Sequence, residues 1–373
     1  MQRLRLLDLV SLLVVAALVL GAWSCAEVGE DTADAEVVAD EESCEPDTTS
    51  ECTCEEHVYG RRLCLPDETW TECHCPFTGV WDTGEEVDPL YPRPQFVPSV
   101  TGTCPGFMEG EECVRDDISL ICTFRAQDQP PRKTRIWLGD AAWDKDSPLV
   151  FFWHPMTGDA TDATEPWYGV SMDFINAVVE EGGIFVAFEI DPNRPLLSDP
   201  HWNWDNFQDN LPWFRALGYG PDHDFVVMDE IVACAQEKVG IDYRRIHATG
   251  FHAGALQCGQ TGHARSGYVA SIACLSGGQL SNPKTQDPSN KYPAFLSYYG
   301  PDDWFMLYFK TTQEEFKARL DEEGHFAVIC DGNDPSGNIY LGAWQFLKDH
   351  PFGVDSEPYA EGLPEIFPDS CTY

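Results

Sequence analysis

The chain reads as an α/β protein, a mostly parallel sheet with helices on both faces, preceded by a small disulfide-rich module. Three observations point there. Pro148–Trp153 and Gly183–Phe188 are continuous apolar runs, as expected of strands buried on both faces. Segments with apolar residues at helical spacing alternate with the strand patterns, at Val170–Glu181, Asp224–Val239, Thr312–Glu323 and Leu341–His350. The composition becomes that of a globular domain only from about Cys104 onward, which leaves roughly 270 residues, a comfortable size for one α/β domain.

Taken in order, Ser119–Phe124 and Thr134–Leu138 are short strands suited to an antiparallel opening. The two apolar strands follow. The helix at Asp224–Val239 carries Phe225, Val226, Met228, Ile231, Val232, Ala235 and Val239 on its apolar face and ends at Gly240. Asp242–Arg244 reads as a turn, Arg245–Thr249 as a strand, and Ala253–Ala264 as a helix of small apolar residues. Val269–Leu275, Ala294–Tyr299 and His325–Cys330 complete the strand set.

The first 103 residues divide differently. Residues 1–24 have the form of a signal peptide, with Arg3 and Arg5 ahead of the apolar Leu9–Leu20 and small residues before Cys25. Ala22-Trp23-Ser24-Cys25 resembles a lipoprotein cleavage box, so lipid attachment at Cys25 is expected; an ordinary signal peptide is the alternative. Residues 25–43 form an acidic tether: eight acidic residues, no Lys or Arg and no aromatic lie between Glu27 and Ser43. Residues 44–75 form the disulfide-rich module, with Cys44, Cys52, Cys54, Cys64, Cys73 and Cys75 and too few aliphatic side chains for a core. Zinc held with His57 and His74 is the rival reading, disfavoured because C-x2-C spacing is absent. Residues 76–103 form a Pro/Gly linker, and residues 104–373 the main domain.

Cysteine usage and charge bound the environment. The chain holds 15 cysteines; with Cys25 as a lipid site, 14 remain, enough for seven disulfides in an oxidising compartment, and Cys258 is expected to be crosslinked. The formal net charge of −40 excludes nucleic acid as a partner, since phosphates would be repelled. No other run reaches membrane-spanning length, so contact with a membrane is expected through the lipid anchor alone. No cofactor is implied.

Gly250-Phe251-His252-Ala253-Gly254 carries the chemistry. Two glycines frame a sharp strand-to-helix turn as in the G-x-S-x-G nucleophile elbow, but His252 stands where the serine would be. Around it, Asp242-Tyr-Arg-Arg-Ile-His-Ala-Thr-Gly, Ser266-Gly-Tyr-Val-Ala-Ser with Ser276-Gly-Gly278, Pro148-Leu-Val-Phe-Phe-Trp-His154, Gly300-Pro-Asp-Asp303 and Trp344-Gln-Phe-Leu-Lys-Asp-His-Pro-Phe-Gly353 together resemble the secreted polyhydroxybutyrate-depolymerase and feruloyl-esterase type of α/β-hydrolase. The likeness runs over about residues 115–355. It implies an α/β-hydrolase fold and descent from carboxylester hydrolases.

That resemblance implies the triad positions His252 (nucleophile), Asp303 (acid, with Asp302 beside it) and Asn338 (base), so nucleophile and base are both replaced. The base loop, Asp331 to Asn338, contains no histidine. Serine is inert without a base, and here both are gone. The oxyanion position is altered as well, because Pro155 has no N–H to donate, leaving Met156 and Ala253 as amide donors. His154 and the lid-like aromatics Trp202 and Trp204 are expected to line a pocket for a small or polymeric ester-like ligand. Three readings of His252 stay open: a hydrogen-bonded pocket residue in a non-catalytic binding protein, a base or nucleophile paired with Asp303, or a metal ligand with His154 and Asp303. A purely structural surface protein is a further alternative.

Overall fold

The computed structural model describes residues 49–53, 59–63, 94, 97–110, 112–116, 118–127, 129, 131–144, 146–155, 159–166, 168–189, 223–278, 291–299 and 308–373. In the N-terminal module, β1 (Thr49–Thr53) and β2 (Tyr59–Leu63) pair antiparallel with Glu51 opposite Arg61. Cys25, the tether and the module's disulfides lie outside the described residues.

Nine strands form one sheet: β3 (Cys113–Asp116), β4 (Ser119–Phe124), β5 (Arg132–Leu138), β6 (Ser147–Trp153), β7 (Ile184–Phe188), β8 (Ile241–Phe251), β9 (Ser271–Leu275), β10 (Ala294–Tyr298) and β11 (Ala327–Asp331). Their spatial order is β11-β10-β9-β8-β6-β7-β5-β4-β3. The six strands from β6 to β11 run parallel, and β5, β4 and β3 extend the sheet in antiparallel fashion. Among the described residues, five α-helices accompany them: α1 (Ser171–Glu180), α2 (His223–Lys238), α3 (Ala253–Ala264), α4 (Phe309–Glu323) and α5 (Ile339–Asp349).

Strands β6 and β7 are buried along their whole length and almost wholly apolar because both faces of the sheet are covered there. In β6, Leu149, Phe151 and Trp153 pack into one core with Phe225 and Ile231 of α2, Cys258 of α3 and Phe316 of α4. Val150 and Phe152 point the other way, into a second core with Phe174 and Val178 of α1 and Ala343 and Phe346 of α5. Burying each such side chain contributes roughly 1.5–3 kcal/mol. Trp153 also stacks on Phe188, with centroids 4.3 Å apart and planes 5° from parallel.

Three disulfides tie six of the described cysteines. Cys113–Cys122 joins directly opposed residues of β3 and β4, and Cys330–Cys371 fastens the C-terminal segment beside β11. Cys104–Cys234 anchors the start of the domain on α2, where buried Glu230 also accepts the N–H groups of Thr101 and Gly102, both at 2.9 Å. The last part of the stretch read as linker is therefore docked on the domain.

Two expectations are corrected. Asp242–Arg244 is not a turn outside the sheet. It is a bulge inside β8, where the register against β6 jumps from Ser147↔Ile241 to Leu149↔Ile246 and Asp242 Oδ1 accepts the Arg244 N–H at 2.9 Å. The local turn chemistry is present, but strand pairing on both sides of it absorbs the extra residues. Cys258, expected to be crosslinked, is a buried thiol, and its sulfur lies 2.7 Å from that of Cys274, a second buried thiol. The spacing pattern also missed β3, which is only four residues long and has a single buried position, Cys113.

Candidate functional site

The topology directs attention to one edge of the sheet. After β6 the chain lays β7 on one side, then crosses to lay β8 on the other, so the connections diverge at β6 and β8. The crevice beyond the carboxyl ends of strands at such a switch point is where open α/β sheets bind ligands. Trp153 pairs with Gly250 there, so His154 and His252 leave the ends of two adjacent parallel strands.

His252 sits at the apex between β8 and α3 with φ 58° and ψ −118°. That backbone conformation is rare for a side-chain-bearing residue and costs of order 1–3 kcal/mol. It is held by the His252 N–H donating to Leu275 O of β9 at 3.0 Å and by the His252 carbonyl accepting from Ala255 N at 3.0 Å. The flanking glycines are demanded sterically. A Cβ on Gly254 would lie 1.8 Å from Trp153 O, and one on Gly250 2.3 Å from Gly254 O. The elbow is therefore fully formed, and only its apex side chain departs from the pattern.

The imidazole of His252 meets the ring of Phe309 edge-on, with centroids 4.6 Å apart. Burial lowers its pKa to about 4, so the ring is neutral at physiological pH. Ala253 begins α3, and its N–H is among the first-turn donors that have no acceptor within the helix. Such a donor beside the positive helix end can receive a carbonyl or carboxylate oxygen. His154 is buried, with its Nδ1–H donating to Pro155 O at 2.8 Å, and burial lowers its pKa.

Asn338, expected at the base position from the resemblance, is the N-cap of α5. Its Oδ1 accepts the N–H groups of Tyr340 and Leu341, both at 3.1 Å, and its own N–H donates to Ile366 O at 3.0 Å. None of its hydrogen bonds is with His252. Asp303, Asp302, Met156, Trp202 and Trp204 lie outside the described residues. Among the described residues, no cluster with metal-ligand spacing includes His252 or His154.

The structure gives further residues a place at the elbow. Ser276, just beyond β9, also has a positive φ of 58°, and its N–H donates to Ser297 O at 2.7 Å. A Cβ on neighbouring Gly277 would lie 2.7 Å from His252 O, so the Ser276-Gly277-Gly278 run lets β9's end pass under the elbow. The glycine pair was the available signal. Buried Gln313 of α4 donates to both Cys274 O at 2.9 Å and Ser297 O at 3.0 Å, holding the ends of β9 and β10 together. Nothing local marked Gln313 or Phe309, because α4 reaches these positions only through tertiary packing.

No protein-family model matches the chain, and no curated protein does. Among solved structures, native pOPH is similar to it with a TM-score of 0.51, over 72% of this chain and 96% of that one, at 14% identity. A thermostable esterase is similar over 63% of both chains with a TM-score of 0.43 and 16% identity. A ferulic acid esterase is similar over 61% of this chain and 95% of its own, with a TM-score of 0.42 and 13% identity. At such identity the pOPH likeness speaks to the fold alone. With the strand order and the elbow, it makes this an α/β-hydrolase fold.

Proposed function

We propose that the protein is an exported α/β-hydrolase-fold protein that binds an ester-like ligand or a protein partner without turning it over. One observation carries this reading: the apex of a fully formed elbow bears His252, while the residue at the base position, Asn338, spends its side-chain acceptor on capping α5. An imidazole at the apex supplies no alkoxide, and an amide accepts no proton at neutral pH. The crevice keeps the Ala253 amide and the aromatic edge of Phe309, which suit a carbonyl-bearing ligand. Export and lipid attachment at Cys25 belong to the same reading, on the strength of the N-terminal segment and the three disulfides.

A second reading, an esterase that uses His252 itself, is favoured by the depressed pKa of that imidazole, which leaves its lone pair available at neutral pH. It needs a further base to hydrolyse an acyl-imidazole, and Asn338 cannot be that base. A short-chain p-nitrophenyl ester assay on the protein and on His252→Ala separates the two. The binding reading expects background rates from both and no labelling by a fluorophosphonate probe. Turnover that disappears in His252→Ala would establish the esterase instead. Incorporation of a labelled fatty acid, lost in Cys25→Ala, tests the anchor.

A further inference from the structure

At the opposite end of the elbow helix, three side chains converge. His263 lies in the last turn of α3, Glu323 ends α4, and His325 follows it on the approach to β11. We propose that His263, Glu323 and His325 bind one divalent transition-metal ion, with zinc the best fit to two imidazoles and a carboxylate.

The distances are compatible with one shared ion, although His263 also lies within hydrogen-bond distance of Glu323. Nε2 of His263 lies 3.1 Å and Nε2 of His325 3.6 Å from Glu323 Oε2, and the three ligand atoms are all within 4.8 Å of one another. Ligand atoms around a tetrahedral ion at about 2.0–2.1 Å are roughly 3.3 Å apart, between the two values. A separation of 3.6 Å is too long for His325 to be satisfied by a hydrogen bond to the carboxylate.

The surroundings orient both rings for ligation. A metal-bound imidazole donates its other N–H to a carbonyl or carboxylate, which sets the tautomer. Nδ1 of His325 lies 3.1 Å from both the N–H and the carbonyl oxygen of Tyr292, and Nδ1 of His263 faces Gly259 O at 3.3 Å and Tyr292 Oη at 2.5 Å, the same hydroxyl lying 3.3 Å from its Nε2. In the tautomer that protonates both Nδ1 atoms, which ion binding would select, both Nε2 lone pairs turn toward Glu323. The two imidazoles are buried, whereas the Glu323 side chain is 37% exposed, so an ion can enter along the carboxylate and keep a water as its fourth ligand. Lys291, which donates to the Glu323 carbonyl, and Arg319 add positive charge nearby and weaken the affinity without closing the site.

The site lies where β10 and β11 begin, away from the crevice at their carboxyl ends. Its role is to fasten α3, α4 and the Tyr292 segment together behind the elbow, independently of what the elbow binds.

The test uses the full chain freed of metal by a chelator, then titrated with zinc against a competing chromogenic chelator. We expect one zinc per chain and a rise in Tm that saturates at one equivalent. Glu323→Gln and His325→Asn should each weaken binding by more than the roughly 10–100-fold that loss of an outer-shell partner costs. His252→Ala should leave binding unchanged. Because Glu323 is partly exposed, the metal-free Tm of Glu323→Gln should match that of the parent, which separates lost ligation from lost fold. Absence of stoichiometric zinc, or zinc binding equally tight in both ligand variants, would overturn the assignment; the latter result would place the ion elsewhere on the chain.

Discussion

The side-chain oxygen of Asn338 accepts the Leu341 N–H at 3.1 Å, so this residue is engaged as the N-cap of α5. Asn338→Ala should destabilise the domain by about 1 kcal/mol, within a range of about 0.5–2, because the amides of Tyr340 and Leu341 lose their acceptor. Asn338→Asp should stay near the parent value, since aspartate caps equally well. Equilibrium urea unfolding would check this. Equal stability of the alanine and aspartate variants would mean that the cap contributes nothing.

Gly254 and Gly324 should respond very differently to alanine. At Gly254 the new methyl would meet Trp153 O at 1.8 Å, inside the packed junction of β6 and α3. We expect a loss exceeding about 4 kcal/mol, or no soluble protein. At Gly324, the left-handed C-cap of α4 with φ 78°, nothing lies within 4 Å of the added Cβ. There only the backbone preference is lost, about 1–2 kcal/mol. Expression yield and thermal melts of the two variants would show the contrast.

His252→Gly should be more stable than His252→Ala by about 1 kcal/mol. In ordinary helix and strand positions alanine exceeds glycine by roughly 0.5–1 kcal/mol, so the order is reversed here. Both variants lose the ring and its contact with Phe309, leaving the backbone at φ 58° as the difference between them. Denaturant midpoints for the pair are sufficient. The ordinary order would mean that the elbow relaxes when its side chain is removed.

Stability should fall as the pH is lowered from about 6.5 toward 4. Burial depresses the pKa of His252, His325 and His350 to about 4 and that of His247 to about 3. A histidine with a depressed folded-state pKa binds fewer protons folded than unfolded below about pH 6.5, so its contribution is complete above that pH and is lost on acidification. Asp162, Glu189 and Asp355, raised chiefly by burial, act in the opposite sense and lose stability as pH rises through the carboxylate range. The histidines titrate nearer neutrality and should dominate between pH 6.5 and 5. Unfolding free energies measured across that interval should decline, and His252→Ala should decline less steeply than the parent.

Much of this was legible from residue patterns. Apolar runs such as Pro148–Trp153 marked strands covered on both faces, because only side chains shielded from water on each side of a sheet can all be apolar. The two glycines around His252 marked the elbow, because no Cβ fits where a helix start presses on a strand end. Those are local constraints, written into a few consecutive positions. The sequence alone thus determined the fold class and the glycine-framed turn that carries His252. Only the tertiary structure decided what surrounds these residues: that Asn338 caps a helix, that Phe309 packs against His252, and that His263 and His325 turn toward one carboxylate. Each of these depends on segments far apart in the chain meeting at hydrogen-bond or ring-contact distance, and no spacing along the chain records where a helix docks.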